Sequence, residues 1–339
     1  MPDEPRIYTS EDPQRHPLIR RVPVVTSPIK EVYRQIKFML VCGGDSRCFG
    51  AFTQGGKSQA LKVIERWLRA DFPNILFIKL LVTNTAGPTS NENLVNLAST
   101  LPGCRKTGTA YVLRTAITNA LKNKVIDEGW IKVVLLLDEG QCLTMHEFEF
   151  LKDLYNALWE IDIHLATVVF GQEPQLRRRL KDLLSHQRDD LVRRVLGSPR
   201  AFRDLLVPSE VAEVFSAIDS ASMPEMPELT WSQWFVPHAW AKHNWRLANE
   251  TCNFAAAARD RGVLEVMEGE TGKESEQTET VVAGLLFSAV RHYFVLVASD
   301  DVGEKYPFPA TRWKEAIVGA LQEIGGRGAN APINVTLRN

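Results

Sequence analysis

The chain has 339 residues, 45% apolar and 24% charged, with a formal net charge of −1. That length suits one large domain with a smaller companion, and the composition is that of an ordinary soluble globular protein. A charge of −1 means that any nucleic-acid contact must come from a local patch. The five cysteines, Cys42, Cys48, Cys104, Cys142 and Cys252, lack C-x-x-C spacing and indicate neither a zinc site nor a disulfide framework.

The first residues lack the basic stretch and apolar core of a secretory signal. The most apolar long segment, residues 281–298, is interrupted by Arg291 and His292, so it reads as a buried helix and not as a membrane span. We expect a cytoplasmic protein with no membrane contact.

Residues 1–26 are rich in proline and charge and are expected to form an extended arm. Ser27 and Pro28 then open a helix, with Val32, Ile36, Met39 and Leu40 on one face. Residues 47–50 are predicted as a short first strand. It runs into Gly50-Ala51-Phe52-Thr53-Gln54-Gly55-Gly56-Lys57-Ser58, and a helical pattern follows. A glycine-rich turn entering a helix leaves backbone N–H groups free to cradle phosphates. Thr53, Gln54, Gly55, Gly56, Lys57, Ser58 and Gln59 are the candidate ATP-binding residues, with Lys57 on the β/γ-phosphates and the Ser58 hydroxyl on Mg²⁺. The loop departs from G-x-x-x-x-G-K-[ST], because Ala51 stands at the first glycine position and Gly50 one place early. The bland alternative is an ordinary strand–helix turn.

A second strand is expected at residues 75–82, a loop at 84–90 and a short helix at 92–101. The loop at 103–109 carries Arg105, Lys106, Thr107 and Thr109, a run that is most often a solvated turn. A helix at 110–127 precedes Val133-Val134-Leu135-Leu136-Leu137-Asp138-Glu139, an apolar run of strand length ending in two acids. A buried parallel strand reads this way and delivers carboxylates to the sheet edge where ligands sit. Asp138 is the second candidate Mg²⁺ ligand, and Glu139 the group that polarises the attacking water.

Further on, a helix at 143–159 and a buried strand at 163–172 are predicted, with His164 read as structural. One long basic helix is expected over 175–195, carrying Arg177, Arg178, Arg179, Lys181, Arg188, Arg193 and Arg194. Residues 202–207 read as a last strand. Strands alternating with helices predict an α/β sheet of mainly parallel strands. From Pro208 onward no strand is predicted. Helices at 240–261 and 278–297, with an acidic loop at 265–280 between them, suggest a small helical lid. The expected organisation is an arm (1–26), a nucleotide-binding α/β domain (27–207), a lid with C-terminal helices (208–325) and a flexible tail (326–339).

Three landmarks resemble AAA+ P-loop ATPases: Lys57-Ser58, Leu137-Asp138-Glu139-Gly140-Gln141, and residues 169–176, Val-Phe-Gly-Gln-Glu-Pro-Gln-Leu. The D-E-x-Q and G-Q-x-P-x-L forms are similar to the TnsC/TniB-type regulators of DNA transposition, a group that includes ATPases of CRISPR-associated transposons. Trp245-Arg246-Leu247-Ala248-Asn249 has the same character. The pattern is shared in large part by ExeA-type secretion ATPases and origin-recognition-like ATPases.

The resemblance implies an ATP-dependent homo-oligomer, ring or helical filament, on double-stranded DNA that recruits a transposase and works with a TniQ-like target-selection protein. It implies that Gln172 senses the γ-phosphate and that Arg193 or Arg194 completes a neighbour's site as an arginine finger. It also places DNA against the region after the second strand, where Arg105, Lys106, Thr107 and Thr109 fall. A nucleotide-dependent scaffold that never hydrolyses, or an AAA+ machine serving secretion or a defence complex, are the other classes open to this sequence.

Overall fold

The computed structural model describes residues 12–84, 91–267 and 278–325. It divides into two compact units, residues 29–203 and residues 1–28 together with 204–339. Parts of three expected segments, the arm (1–11), the loop at 84–90 (85–90) and the acidic loop (268–277), lie outside the described residues, as does the whole tail (326–339). The first described element is the short helix α1 (Asp12–Arg15).

In the unit of residues 29–203, α2 (Ser27–Val41) leads into β1 (Ser46–Ala51), α3 (Lys57–Asp71) and β2 (Ile75–Leu81). Then come α4 (Glu92–Ser99), α5 (Ala110–Glu128), β3 (Lys132–Asp138), α6 (Met145–Trp159), β4 (His164–Gln172) and α7 (Gln175–Ser185). The one-turn helix α8 (Asp189–Leu191) and the edge strand β5 (Pro199–Ala201) complete it. The five strands are all parallel, in the order β2-β3-β4-β1-β5. Every residue of β3 is buried, as expected of a parallel strand covered on both faces. Local signals set the helix ends. Thr109 caps α5 and Gly129 closes it in the left-handed conformation, while Thr144 and Glu147 form a reciprocal capping box on α6.

Ordering β4 between β1 and β3 has one main consequence. Ala51 pairs with Gln172, and Leu137 with Val169, so the C-terminal ends of all three strands emerge on one edge of the sheet. The turn after β1, Asp138 after Leu137 and Gln172 are thereby collected from distant parts of the chain.

Two expectations in this unit are corrected. The basic helix ends at Ser185, and the chain continues through Gln187 (φ 56°), α8 and a π-helical turn, Val192–Leu196. At about 100° per residue, an unbroken helix would spread Leu183, Leu191, Val195 and Leu196 over more than half a turn. Breaking it lets all four enter one core. The strand expected at 202–207 as the last of this sheet shortens to β6 (Leu205–Val207), which belongs to a separate antiparallel sheet in the other unit, while the edge position beside β1 is taken by the earlier β5.

That other unit continues with α9 (Ser209–Ser220), α10 (Trp231–Phe235), α11 (Pro237–His243), α12 (Thr251–Asp260) and β7 (Glu265–Met267). It ends with β8 (Thr278–Val281), α13 (Ala283–Val302) and α14 (Thr311–Glu323). The three-stranded sheet β6-β8-β7 corrects the expectation of helices alone. The β-branched run Thr278, Thr280, Val281 is a strand before it is a helix, because β-branched side chains fit a pleated surface better. The helix expected over 240–261 breaks at Asn244 (φ 51°). There the Asp219 carboxylate accepts from the backbone N–H groups of Leu247 and Ala248.

The core of this unit is aromatic: Trp313 stacks on Tyr293 at 3.8 Å and on Phe215 at 5.6 Å, with Phe254 edge-on. From the N-terminal segment, the buried His16 packs among Trp231, Trp234 and Phe235. Among the described residues no helix is long and apolar enough to cross a membrane.

Asp204 supplies a test of this unit. Burial and the Glu265 carboxylate push its pKa up to about 6. An unfolded Asp titrates near about 3.9, so the folded unit retains a proton that the unfolded chain releases, and stability falls as pH rises from about 4 to about 6. Asp204→Asn should remove that loss. Urea unfolding across this window should show the parent weakening relative to the variant; parallel profiles would contradict the assignment.

Candidate functional site

The turn after β1 is shaped by two left-handed residues, Gln54 (φ 67°) and Gly56 (φ 83°), the second directly preceding α3. No side chain caps α3, so its first N–H groups remain available to an anion. The departure at Ala51 has a steric account. Its methyl would stand 3.1 Å from a Cβ at residue 55, so the turn tolerates alanine at 51 because 55 is glycine. Gly50 is needed for another reason: a Cβ there would lie 2.3 Å from Glu173 Oε1. Lys57 is buried, with Nζ 3.4 Å from the carbonyl oxygens of Ala51 and Phe52.

Opposite this turn, Asp138 ends β3 and is 2% exposed. Its Oδ2 accepts from Ser58 Oγ at 2.6 Å and its Oδ1 from the Glu139 N–H at 3.1 Å. A hydroxyl beside a carboxylate is a hard oxygen donor set that fits Mg²⁺. Among the described residues there is no cluster of three or more His, Cys, Asp or Glu that could hold a metal by protein ligands alone.

Glu139 is left-handed (φ 59°) and half-buried, and its Oε2 accepts from Gln141 Nε2 at 2.5 Å. Gln141 Oε1 in turn accepts from the Gln172 N–H at 2.8 Å, and Gln172 Nε2 donates to Thr53 Oγ1 at 2.7 Å. The structure thus brings Thr53, Gln54, Gly55, Gly56, Lys57, Ser58, Gln59, Asp138, Glu139 and Gln172 to one edge.

It does not bring Arg193 and Arg194 there. The Arg193 carbonyl accepts from Ser46 Oγ, which fixes this turn at the start of β1, the far edge of the sheet. Six strand residues correspond to roughly 20 Å. Arg194 donates to Asn156 Oδ1 at 2.9 Å and lies over the Tyr155 ring, whereas the exposed Arg193 guanidinium has no partner among the described residues. Of the expected basic stretch, Arg177, Arg179 and Arg188 also have partners within the unit: Glu173, the Gln141 carbonyl, and Glu149 with Asp190.

Arg105, Lys106, Thr107, Gly108 and Thr109 are all exposed. Arg105 Nε donates to the Thr107 carbonyl, and Thr109 caps α5. Arg114, one turn into that helix, reaches the His146 carbonyl at the start of α6.

Two polar residues were not assigned a role from the sequence. Gln141 had a signal, the final letter of D-E-x-Q. Glu173 had none: it is 9% exposed, pairs with Arg177 at 3.3 Å, and together with burial pushes the Cys48 thiol up to about 12.

Residues 48–180 match a family described as an AAA domain. The fold is similar to that of the Orc1 protein of Aeropyrum pernix, solved in complex with DNA. The two share 13% identity over 89% of this chain and 67% of that one, with a TM-score of 0.51. Cdc6p of Pyrobaculum aerophilum (13% identity, 90% and 83% covered, TM-score 0.42) is more distant in shape. So is the Walker-type ATPase paby2304 of Pyrococcus abyssi (14%, 87% and 88%, 0.38). No curated protein matches the sequence. At these identities the likeness concerns the fold, which is the α/β architecture of AAA+ P-loop proteins.

Proposed function

With an AAA domain at residues 48–180 as premise, we propose that this chain is an ATPase that assembles on duplex DNA as a homo-oligomer and recruits a transposase to its target. The ATPase part is carried by one observation: Ser58 Oγ, the Asp138 carboxylate and Glu139 converge beside the uncapped start of α3. The N–H groups of Gly55 to Gln59 would hold the phosphates, with Thr53 and Gln54 lining the turn. Lys57 would exchange its long contacts to Ala51 and Phe52 for phosphate oxygens. Ser58 and Asp138 would hold Mg²⁺, which supplies charge neutralisation at the phosphates. Glu139 would take the proton of the attacking water, and Gln172, tied to Thr53, would meet the γ-phosphate.

The position of Arg193 at the far edge is compatible with a finger acting only on another copy, and its freedom favours it over Arg194. For DNA, support comes from the exposed Arg105-Lys106-Thr107-Gly108-Thr109 loop and the start of α5 behind it. Few phosphate contacts per copy imply weak binding by one subunit and avidity through assembly. The transposition role, with a TniQ-like partner, rests on the D-E-x-Q and G-Q-x-P-x-L motifs. A second reading, an initiator-like AAA+ protein, is favoured by the fold similarity to Orc1 over 89% of this chain.

Three outcomes test these readings. Glu139→Gln should retain ATP and lower hydrolysis by ~10²-fold or more, whereas a merely surface role leaves turnover normal. Arg105→Ala with Lys106→Ala should abolish ATP-dependent DNA binding at moderate salt without altering nucleotide affinity; undiminished binding would move the DNA surface elsewhere. Strand transfer by a transposase encoded beside this gene should rise when the protein and ATP are added. No effect on transfer, with ATP-dependent DNA binding intact, would favour the initiator-like reading.

A further inference from the structure

Among the described residues, the Gln141 side chain ties the end of β3 to the end of β4 at this edge. Its amide nitrogen donates to Glu139 Oε2, and its amide oxygen accepts from the backbone N–H of Gln172. A carboxamide does both, with donor and acceptor on separate atoms, whereas a carboxylate lacks the donor and an aliphatic chain lacks both.

The slot that holds it is glycine-lined. A Cβ at Gly140 would lie 2.1 Å from Val169 Cγ1, and one at Gly171 would lie 3.0 Å from Gln141 Oε1. The backbone is anchored as well, because the Arg179 guanidinium donates to the Gln141 carbonyl at 3.4 and 3.5 Å. Beyond Gln172 the chain of contacts runs on to Thr53 in the turn before α3. Glu139 itself sits in the left-handed region, a conformation that costs a non-glycine residue energy and persists only where its surroundings hold it.

We propose that Gln141 is a positioning residue that sets the carboxylate of Glu139 and couples it to Gln172, so that displacement of Gln172 by a bound phosphate moves the base. This inference rests on the ATPase reading and deepens it. Among the described residues Gln141 makes no hydrogen bond to residues 53–59, so its removal should spare nucleotide binding. Glu139 would lose its donor and Gln172 its acceptor.

Two variants separate the halves of the bridge. Gln141→Leu removes both hydrogen bonds. Gln141→Glu keeps an oxygen for the Gln172 N–H but sets a second carboxylate against Glu139. Hydrogen exchange at the Gln172 amide needs no turnover, and it should accelerate at least ~10-fold in Gln141→Leu and stay slow in Gln141→Glu. Turnover at saturating ATP should fall at least ~10-fold in both, with affinity for a fluorescent ADP analogue unchanged.

A residue that only packs would leave Gln141→Glu at parental turnover, and that result overturns the proposal. Unchanged Gln172 exchange in Gln141→Leu overturns it equally. Parent protein that binds but never hydrolyses ATP would instead overturn the ATPase reading, and the exchange measurement would still decide whether the bridge exists.

Discussion

The insertion of β4 between β1 and β3 is the constraint on which the site depends. Parallel strands fix their neighbours in register through backbone hydrogen bonds, and the pairs Ala51–Gln172 and Leu137–Val169 align three strand ends. Close approach at that edge leaves little room, so Gly50, Gly140 and Gly171 stand where a Cβ would meet Glu173, Val169 and Leu176 respectively. Any slip of β4 would separate Gln172 from Thr53 and Gln141 and turn its side chains to the other face.

Charge is distributed along the sheet in a way that follows from this geometry. At the C-terminal edge stand Asp138 and, next to it, Glu139; Asp138 accepts from Ser58 in the first turn of α3, whose dipole and free N–H groups favour an anion. A third acid, Glu173, is turned beneath β1, where its Oε2 is buried without a partner among the described residues and its charge reaches Cys48. Arginine gathers at the opposite edge, in the π-helical turn, Val192–Leu196. The chain therefore holds the acids and the exposed Arg193 at opposite ends of the same strands.

The other unit solves a different problem, the burial of many aromatic rings together with their indole N–H groups. Its buried acids serve as caps and acceptors. Asp301 accepts from the N–H groups of His238 and Ala239, and Asp219 from those of Leu247 and Ala248. Glu250 accepts from the indole N–H groups of Trp245 and Trp313. Breaking one of these would leave a buried polar group unpaired, a loss typically larger than the net worth of the bond itself.

Local chemistry by itself determined the α/β class, the strand ending in Asp138 and Glu139, the turn at Gly55 to Ser58, and the helix bounded by Thr109 and Gly129. Each is a short-range effect: an apolar run, a glycine before a helix, a cap. Tertiary structure decided what depends on long-range pairing. Burying Leu183, Leu191 and Val195 together broke the basic helix, and pairing across the chain made a strand of Thr278–Val281. Gln141 could be read as a letter in a motif, but not as a bridge, because its two partners meet only when β4 lies beside β3. Arg193 could be read as a cation after β4, and only the fold of the intervening turn carries it to the far edge of the sheet.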